Sequence, residues 1–180
     1  MFKITLRQIT TAAMLAALSI IFERLIPITP PSNTLDIRIT FGNIPLILSG
    51  ILVSPVIGGI CGVVSDVIGC FISGYAPFPI LMAAPFVTGF LPGLVFKALD
   101  NSLLKNKSLV RQSFALILSI LLTHIISSFI ITTYGLSDMR GIAFAPMFIS
   151  RLPSMTIGVL IDTVAVCILY TPLKKALKNI

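Results

Sequence analysis

The sequence has no tryptophan, a single histidine, only six acidic residues and only 11% charged residues in a chain of 180. Soluble domains run near a quarter charged. With 56% hydrophobic residues and a mean hydropathy of +1.06, a soluble fold of this length has too little polar surface to cover its apolar side chains. The three cysteines, Cys61, Cys70 and Cys167, form no C-x-x-C pair, and His124 stands alone. That leaves no metal-ligand cluster with recognisable spacing, so neither a metal nor a cofactor is expected. The sequence also lacks a G-x-x-x-x-G-K-[ST] loop, a G-x-S-x-G elbow and an H-E-x-x-H pair. ATP hydrolysis by a phosphate loop is therefore excluded on this chain, and no nucleophile motif supports an enzyme. Any uphill transport would draw its energy from a partner or an ion gradient.

What the sequence has in abundance is apolar runs. A bilayer-spanning helix needs roughly 20 mostly apolar residues, and the chain holds about six such segments with little left over. The expected fold is an all-α integral membrane protein, one membrane domain over 1–180. Its helices are expected at about 5–25, 41–53, 56–73, 80–99, 113–133 and 146–170. Pro27, Pro30 and Pro31 close the first helix, and a long polar loop follows over 29–40. The second run is short and carries Pro45, so it is a tilted helix or one that barely crosses. Gly58 and Gly62 give the third a face for close packing, and Pro85 and Pro92 are expected to kink or break the fourth. A stretch at 134–143 reads as a polar loop. The start of the chain resembles a secretion leader, but Glu23-Arg24-Leu25-Ile26-Pro27 stands where a cleavage site would be; it reads as a retained helix.

The net charge of +7 is distributed topologically rather than in one patch, which argues against nucleic acid. Lys3, Arg7, Lys97, Lys105, Lys107, Arg111, Lys174, Lys175 and Lys178 fall on the side of the termini. Arg38 and Arg140 fall on the other. By the positive-inside rule both termini are cytoplasmic and the chain is a multi-pass membrane protein.

Ionisable residues inside apolar segments are costly, so they are the candidate functional residues. Arg24 and Arg151 lie near the outer ends of the first and last helices. With Arg38 they would form a cationic pocket for a carboxylate, or else their side chains snorkel to lipid headgroups. Asp66, mid-helix, either accepts ligand N–H groups or pairs within the bundle. His124 and Asp162 read as structural. Tyr75 and Phe78, in an outer turn, are placed to stack on a flat ring or to sit at the membrane interface. Ala12, Ala13, Ala16 and Ala17 make two overlapping small-x-x-x-small pairs, a face for docking or for ordinary packing.

Arg38-Ile39-Thr40-Phe41-Gly42-Asn43-Ile44-Pro45, with Gly50, Pro55, Gly58-Gly59 and Asp66-Val67-Ile68-Gly69, resembles the S components of energy-coupling factor vitamin transporters, in particular the folate-type branch. The alanine pairs, Arg24 and Arg151 share that resemblance. It implies a six-helix bundle that binds folate in an outward-facing pocket gated by the first outer loop. It also implies that the alanine face docks on a transmembrane coupling subunit carrying two ATPases, and that the subunit topples in the membrane to release its vitamin. Arg24, Arg38 and Arg151 would meet the glutamate carboxylates, Tyr75 and Phe78 the aromatic rings, and Asp66 the polar ring atoms. The turn Gly74-Tyr75-Ala76-Pro77-Phe78-Pro79 departs from that branch, which keeps another water-soluble vitamin as an alternative. A small membrane enzyme built around His124, Asp66 or Asp162 is the alternative of a different class.

Overall fold

The computed structural model describes residues 5–25, 40–74, 76–103 and 109–179. Arg38, Tyr75 and all of the loop 29–40 except Thr40 lie outside them. The described residues form helices and connecting turns, with no strand. Helix α1 (Leu6–Ile20) opens at Thr5, whose N–H donates to the Gln8 side chain at 3.1 Å, satisfying a donor the helix end leaves open. It then widens into a π-helical turn, Ile21–Leu25. Helices α2 (Asn43–Leu52) and α3 (Pro55–Ile72) form a tight antiparallel pair, with Ser54 extended and Pro55 in the first turn of α3, where its missing N–H costs nothing.

Helix α4 (Pro79–Leu103) runs through both Pro85 and Pro92 without a break. Those prolines supply no N–H to the carbonyls of Leu81 and Thr88. Helix α5 (Leu109–His124), a π-helical stretch Ile125–Thr132 and helix α6 (Thr133–Arg140) follow one another without interruption. Helix α7 (Phe144–Asn179) completes the chain. The polar stretch at 134–143 is thus helical as far as Arg140, and Gly141, at φ 65°, ends it in the left-handed conformation. The stretch starts against the bundle, where Thr133 just before it is fully buried and a Cβ on Gly135 would meet Leu81 and Ile80, and it is exposed from Asp138 onward.

Among the described residues, five helical stretches are long and apolar enough to cross a membrane: Leu6–Arg24, Pro55–Ile72, Pro79–Leu99, Gln112–Arg140 and Phe144–Ala176. The outer surface agrees with that reading. Ile60, Val64, Ile68 and Phe71 line an exposed apolar stripe on α3, and Leu160, Val164 and Ile168 do so on α7. The interior adds hydroxyls to its apolar core: Ser19, Ser49, Ser119, Thr123 and Thr133 are completely buried. An outer surface of isoleucine, leucine and valine around buried serines and threonines is a distribution that lipid, not water, selects.

The ten-residue α2 is the centre of the molecule. Every residue from Ile44 to Gly50 is buried, and Ile44, Ile47 and Leu48 pack with Ile120 of α5 and Val166 of α7. On its other side α2 is held by backbone. A Cβ on Gly58 would lie 2.6 Å from Cα of Gly50 and 2.5 Å from the Gly89 carbonyl oxygen. A Cβ on Gly93 would strike the carbonyl of Gly50. Four glycines therefore bring α2, α3 and α4 into direct main-chain contact.

The alanine pairs of α1 separate. Ala12 and Ala16 are not on a docking face: they are buried against α3, where Cys61 Sγ approaches the Ala12 carbonyl at 3.6 Å and Ser65 Oγ donates to the Ala16 carbonyl at 3.3 Å. Ala13 and Ala17, one residue further round the helix, are exposed.

Candidate ligand cavity

A cavity of about 360 Å³ lies inside the bundle, within the size range of small-molecule sites. Segments from along the chain converge on it, most of them through polar residues. The π turn after α1 brings Glu23 and Arg24, the first residue of α2 brings Asn43, and the middle of α3 brings Asp66. Leu81, Ala84 and Thr88 come from α4, Ser127, Ser128 and Thr132 from the second π stretch, and Arg151, Ser154 and Met155 from α7. His124, the last residue of α5, and Arg140, the last of α6, also lie on the wall.

The first π turn explains how Arg24 gets there. In a regular α-helix, spacings of four and seven residues return to one face, which would align Arg24 with the exposed Ala13 and Ala17. A wider turn, closing i to i+5, rotates less per residue. Arg24 therefore lags behind that stripe and turns toward the buried side of α1. Its guanidinium is 10% exposed, with Nη2 3.5 Å from Asp66 Oδ1, Nη1 donating to Ser73 Oγ at 3.3 Å and Nη2 reaching Cys70 Sγ at 3.9 Å. Its Nε is buried without a hydrogen-bond partner among the described residues. Lipid headgroups are not its environment.

The second π stretch is held by its own hydroxyls. Thr132 Oγ1 donates to the Ser127 carbonyl at 2.9 Å and Thr133 Oγ1 to the Ser128 carbonyl at 3.1 Å, each five residues back. Thr133 Oγ1 also accepts from Arg151 Nη1 at 3.4 Å, so the stretch anchors the second arginine. Facing it, Thr88 Oγ1 and Ser127 Oγ are 2.6 Å apart, and both donate toward the Ala84 carbonyl. Behind the wall, Asp162 is fully buried. Its Oδ2 lies 3.1 Å from His124 Nε2 and accepts from Asn43 Nδ2 at 3.2 Å.

Three guanidinium groups, Arg24, Arg140 and Arg151, thus face two carboxylates, Glu23 and Asp66, in one cavity. The lining is biased toward anions, and its charges are already neutralised in part by one another. A ligand carboxylate can take over such a cation without exposing it to hydrocarbon.

Of the residues expected from sequence, the structure brings Arg24, Asp66 and Arg151 together. Arg38 and Tyr75 lie outside the described residues. Phe78 is not on the wall: it precedes the first turn of α4, and Leu81 is the first residue of that helix to reach the cavity. Among the described lining residues no phenylalanine or tyrosine is present. Sequence reasoning missed Arg140, assigned to an outer loop, and Asn43, read only as part of a motif. It gave His124 a structural role; the histidine is buried and paired, yet forms part of the wall.

An apolar helical bundle enclosing a cavity lined by ion pairs and hydroxyls defines a membrane-embedded solute-binding protein. The chain belongs to the substrate-specific components of ECF transporters, whose family model matches residues 7–172. It is 30% identical over 141 residues to the folate transporter FolT of Clostridium novyi (strain NT), covering 78% of this chain and 74% of that one. Its fold is similar to a crystal structure of FolT bound with folic acid, with a TM-score of 0.69 and 26% identity, over 90% of this chain and 91% of the other. It also resembles the S component of a bacterial ECF transporter, with a TM-score of 0.65 over 96% of this chain and 98% of that one; at 20% identity this likeness concerns the fold. The chain is accordingly a transporter component rather than an enzyme.

Proposed function

We propose that this chain is the high-affinity folate-binding subunit of an ATP-driven ECF importer. In this reading it crosses a prokaryotic plasma membrane six times, α2 being the short span, with both termini in the cytoplasm. The observation that carries the substrate is the convergence of Arg24 and Arg151, from opposite ends of the sequence, on one cavity of about 360 Å³. Two guanidinium groups suit the two carboxylates of a glutamate tail, and the hydroxyl and amide lining suits a polar ring system. The likeness to FolT proteins supports the same choice. Energy comes from two ATPase subunits through a transmembrane coupling subunit, which meets the exposed Ala13 and Ala17.

Isothermal titration of the purified protein with folate tests the substrate. Saturable one-to-one binding is expected, with at least about tenfold weaker binding for Arg151→Ala, the equivalent of roughly 1.4 kcal/mol. Absence of folate binding, with saturable binding of another vitamin, would replace the substrate and keep the class.

A further inference from the structure

Asn43 and Asp162 are 119 residues apart in sequence and joined by one hydrogen bond, Asn43 Nδ2 to Asp162 Oδ2, at 3.2 Å. Asp162 is fully buried, and its other oxygen, Oδ1, has no hydrogen-bond partner among the described residues. Among the described residues the carboxylate makes two polar contacts, both to side chains of the cavity wall: Asn43 and His124. A buried carboxylate kept for stability alone would have both oxygens satisfied, and an apolar side chain would serve better. Its arrangement here fixes the wall residues instead.

The fixation has a chemical consequence. A carboxylate oxygen only accepts, so the Asn43 amide must turn its NH₂ toward Asp162. The planar carboxamide then directs Oδ1 away from Asp162, and it accepts no hydrogen bond from any described residue. His124 offers no comparable group: Nε2 lies against Asp162 Oδ2 and Nδ1 is 3.3 Å from Ser128 Oγ. Of this cluster, Asn43 alone keeps an uncommitted acceptor at the cavity.

We propose that Asn43 is a specificity-determining residue of this cavity, accepting a hydrogen bond from an N–H edge of the ligand's heterocycle, and that Asp162 is the positioning residue that prevents its amide from flipping. The chemical class it selects is an amino-lactam ring, whose ring N–H and amino group donate side by side. This rests on the folate reading given above.

The test compares folate with its 4-amino-4-deoxy analogue, in which ring N3 carries no hydrogen and the 4-oxo group is replaced by an amino group. Dissociation constants for both are measured with the wild-type protein, Asp162→Asn and Asn43→Ser, alongside thermal melting in the same detergent. The wild type is expected to prefer folate by about tenfold or more, the worth of one hydrogen bond. The preference should fall to less than about threefold in Asp162→Asn, whose new amide no longer dictates which way Asn43 faces. Asn43→Ser, whose shorter side chain takes the amide oxygen away from the cavity, should show the same fall and keeps the test open if Asp162→Asn does not fold. An unchanged preference in the folded variants overturns the proposal, as does a wild type that binds both compounds equally. Parallel loss of both ligands and of melting temperature in Asp162→Asn, with the preference intact in Asn43→Ser, shows a purely structural carboxylate and overturns it too. A wild type that binds neither compound removes the folate reading itself, and the proposal with it.

Discussion

The guanidinium of Arg24 occupies the space that a side chain at Gly69 would fill: a Cβ built there would stand 2.5 Å from Arg24 Nε. The absence of a side chain on α3 is therefore part of the cavity's cationic end. Gly69→Ala should push the guanidinium off its seat beside Ser73 and Cys70. Folate affinity is expected to fall by about tenfold, with little loss of melting temperature, because alanine favours the helix by up to about 1 kcal/mol over glycine. Titration and thermal melting of one preparation measure both effects, and unchanged affinity would mean that Arg24 has another seat.

Arg24→Ala removes the partner of Asp66, whose side chain is only 16% exposed. An uncompensated, mostly buried carboxylate costs about 2 kcal/mol, so this variant should lose stability as well as binding. Adding Asp66→Asn should restore most of the melting temperature and none of the affinity for an anionic ligand. Recovery of both in the double variant would mean that Arg24 serves only to neutralise Asp66.

The two alanine pairs on α1 separate packing from docking. Leucine at Ala13 and Ala17, which are exposed, should leave folding and vitamin binding intact and abolish co-purification with the coupling subunit. Leucine at Ala12 and Ala16, which touch α3 through Cys61 and Ser65, should overpack the bundle by about 1–3 kcal/mol per site and lower the melting temperature. If both pairs behave alike, Ala13 and Ala17 are not the docking face.

Gly89 and Gly158 form a matched pair of controls. A Cβ at Gly89 would collide with the Gly58 carbonyl, whereas one at Gly158 meets nothing within 4 Å. Gly89→Ala should prevent folding or lower the melting temperature sharply, since main chain on both sides must move. Gly158→Ala should be tolerated and slightly stabilising. Fluorescence-detected chromatography in detergent distinguishes these outcomes.

The cavity was partly readable in the sequence because charge in an apolar run is costly enough to stand out. Arg24, Asp66 and Arg151 announce themselves in that way, and all three line the wall. Arg140 does not, because its surroundings are polar and polarity alone cannot distinguish a loop from the end of a helix. Nor did periodicity separate Ala12 and Ala16 from Ala13 and Ala17: overlapping four-residue spacings describe two adjacent stripes and do not say which one is covered. The π turns defeat the wheel altogether, since the register of Arg24 follows from a local widening that no spacing rule encodes. The meeting of Asn43, His124 and Asp162 depends on how three distant helices cross: Asn43 stood out in the motif at 38–45 and the other two as ionisable residues in apolar runs, but nothing local pairs them.

The shortness of α2 sets a depth. Ten residues of helix measure about 15 Å, half of a hydrocarbon layer of roughly 30 Å. Asn43 therefore stands about as far from the α2–α3 turn as Asp66 does, eleven residues along α3 from Pro55. A solute resting on these two side chains has covered half the thickness of the bilayer by binding alone. Beneath it is α2, fastened to α3 and α4 through Gly50, Gly58, Gly89 and Gly93, a floor that cannot slide aside while those main chains touch. In the importer proposed above, the cargo would have to leave by the mouth it entered, so delivery to the cytoplasm would require the mouth, and not the floor, to change sides.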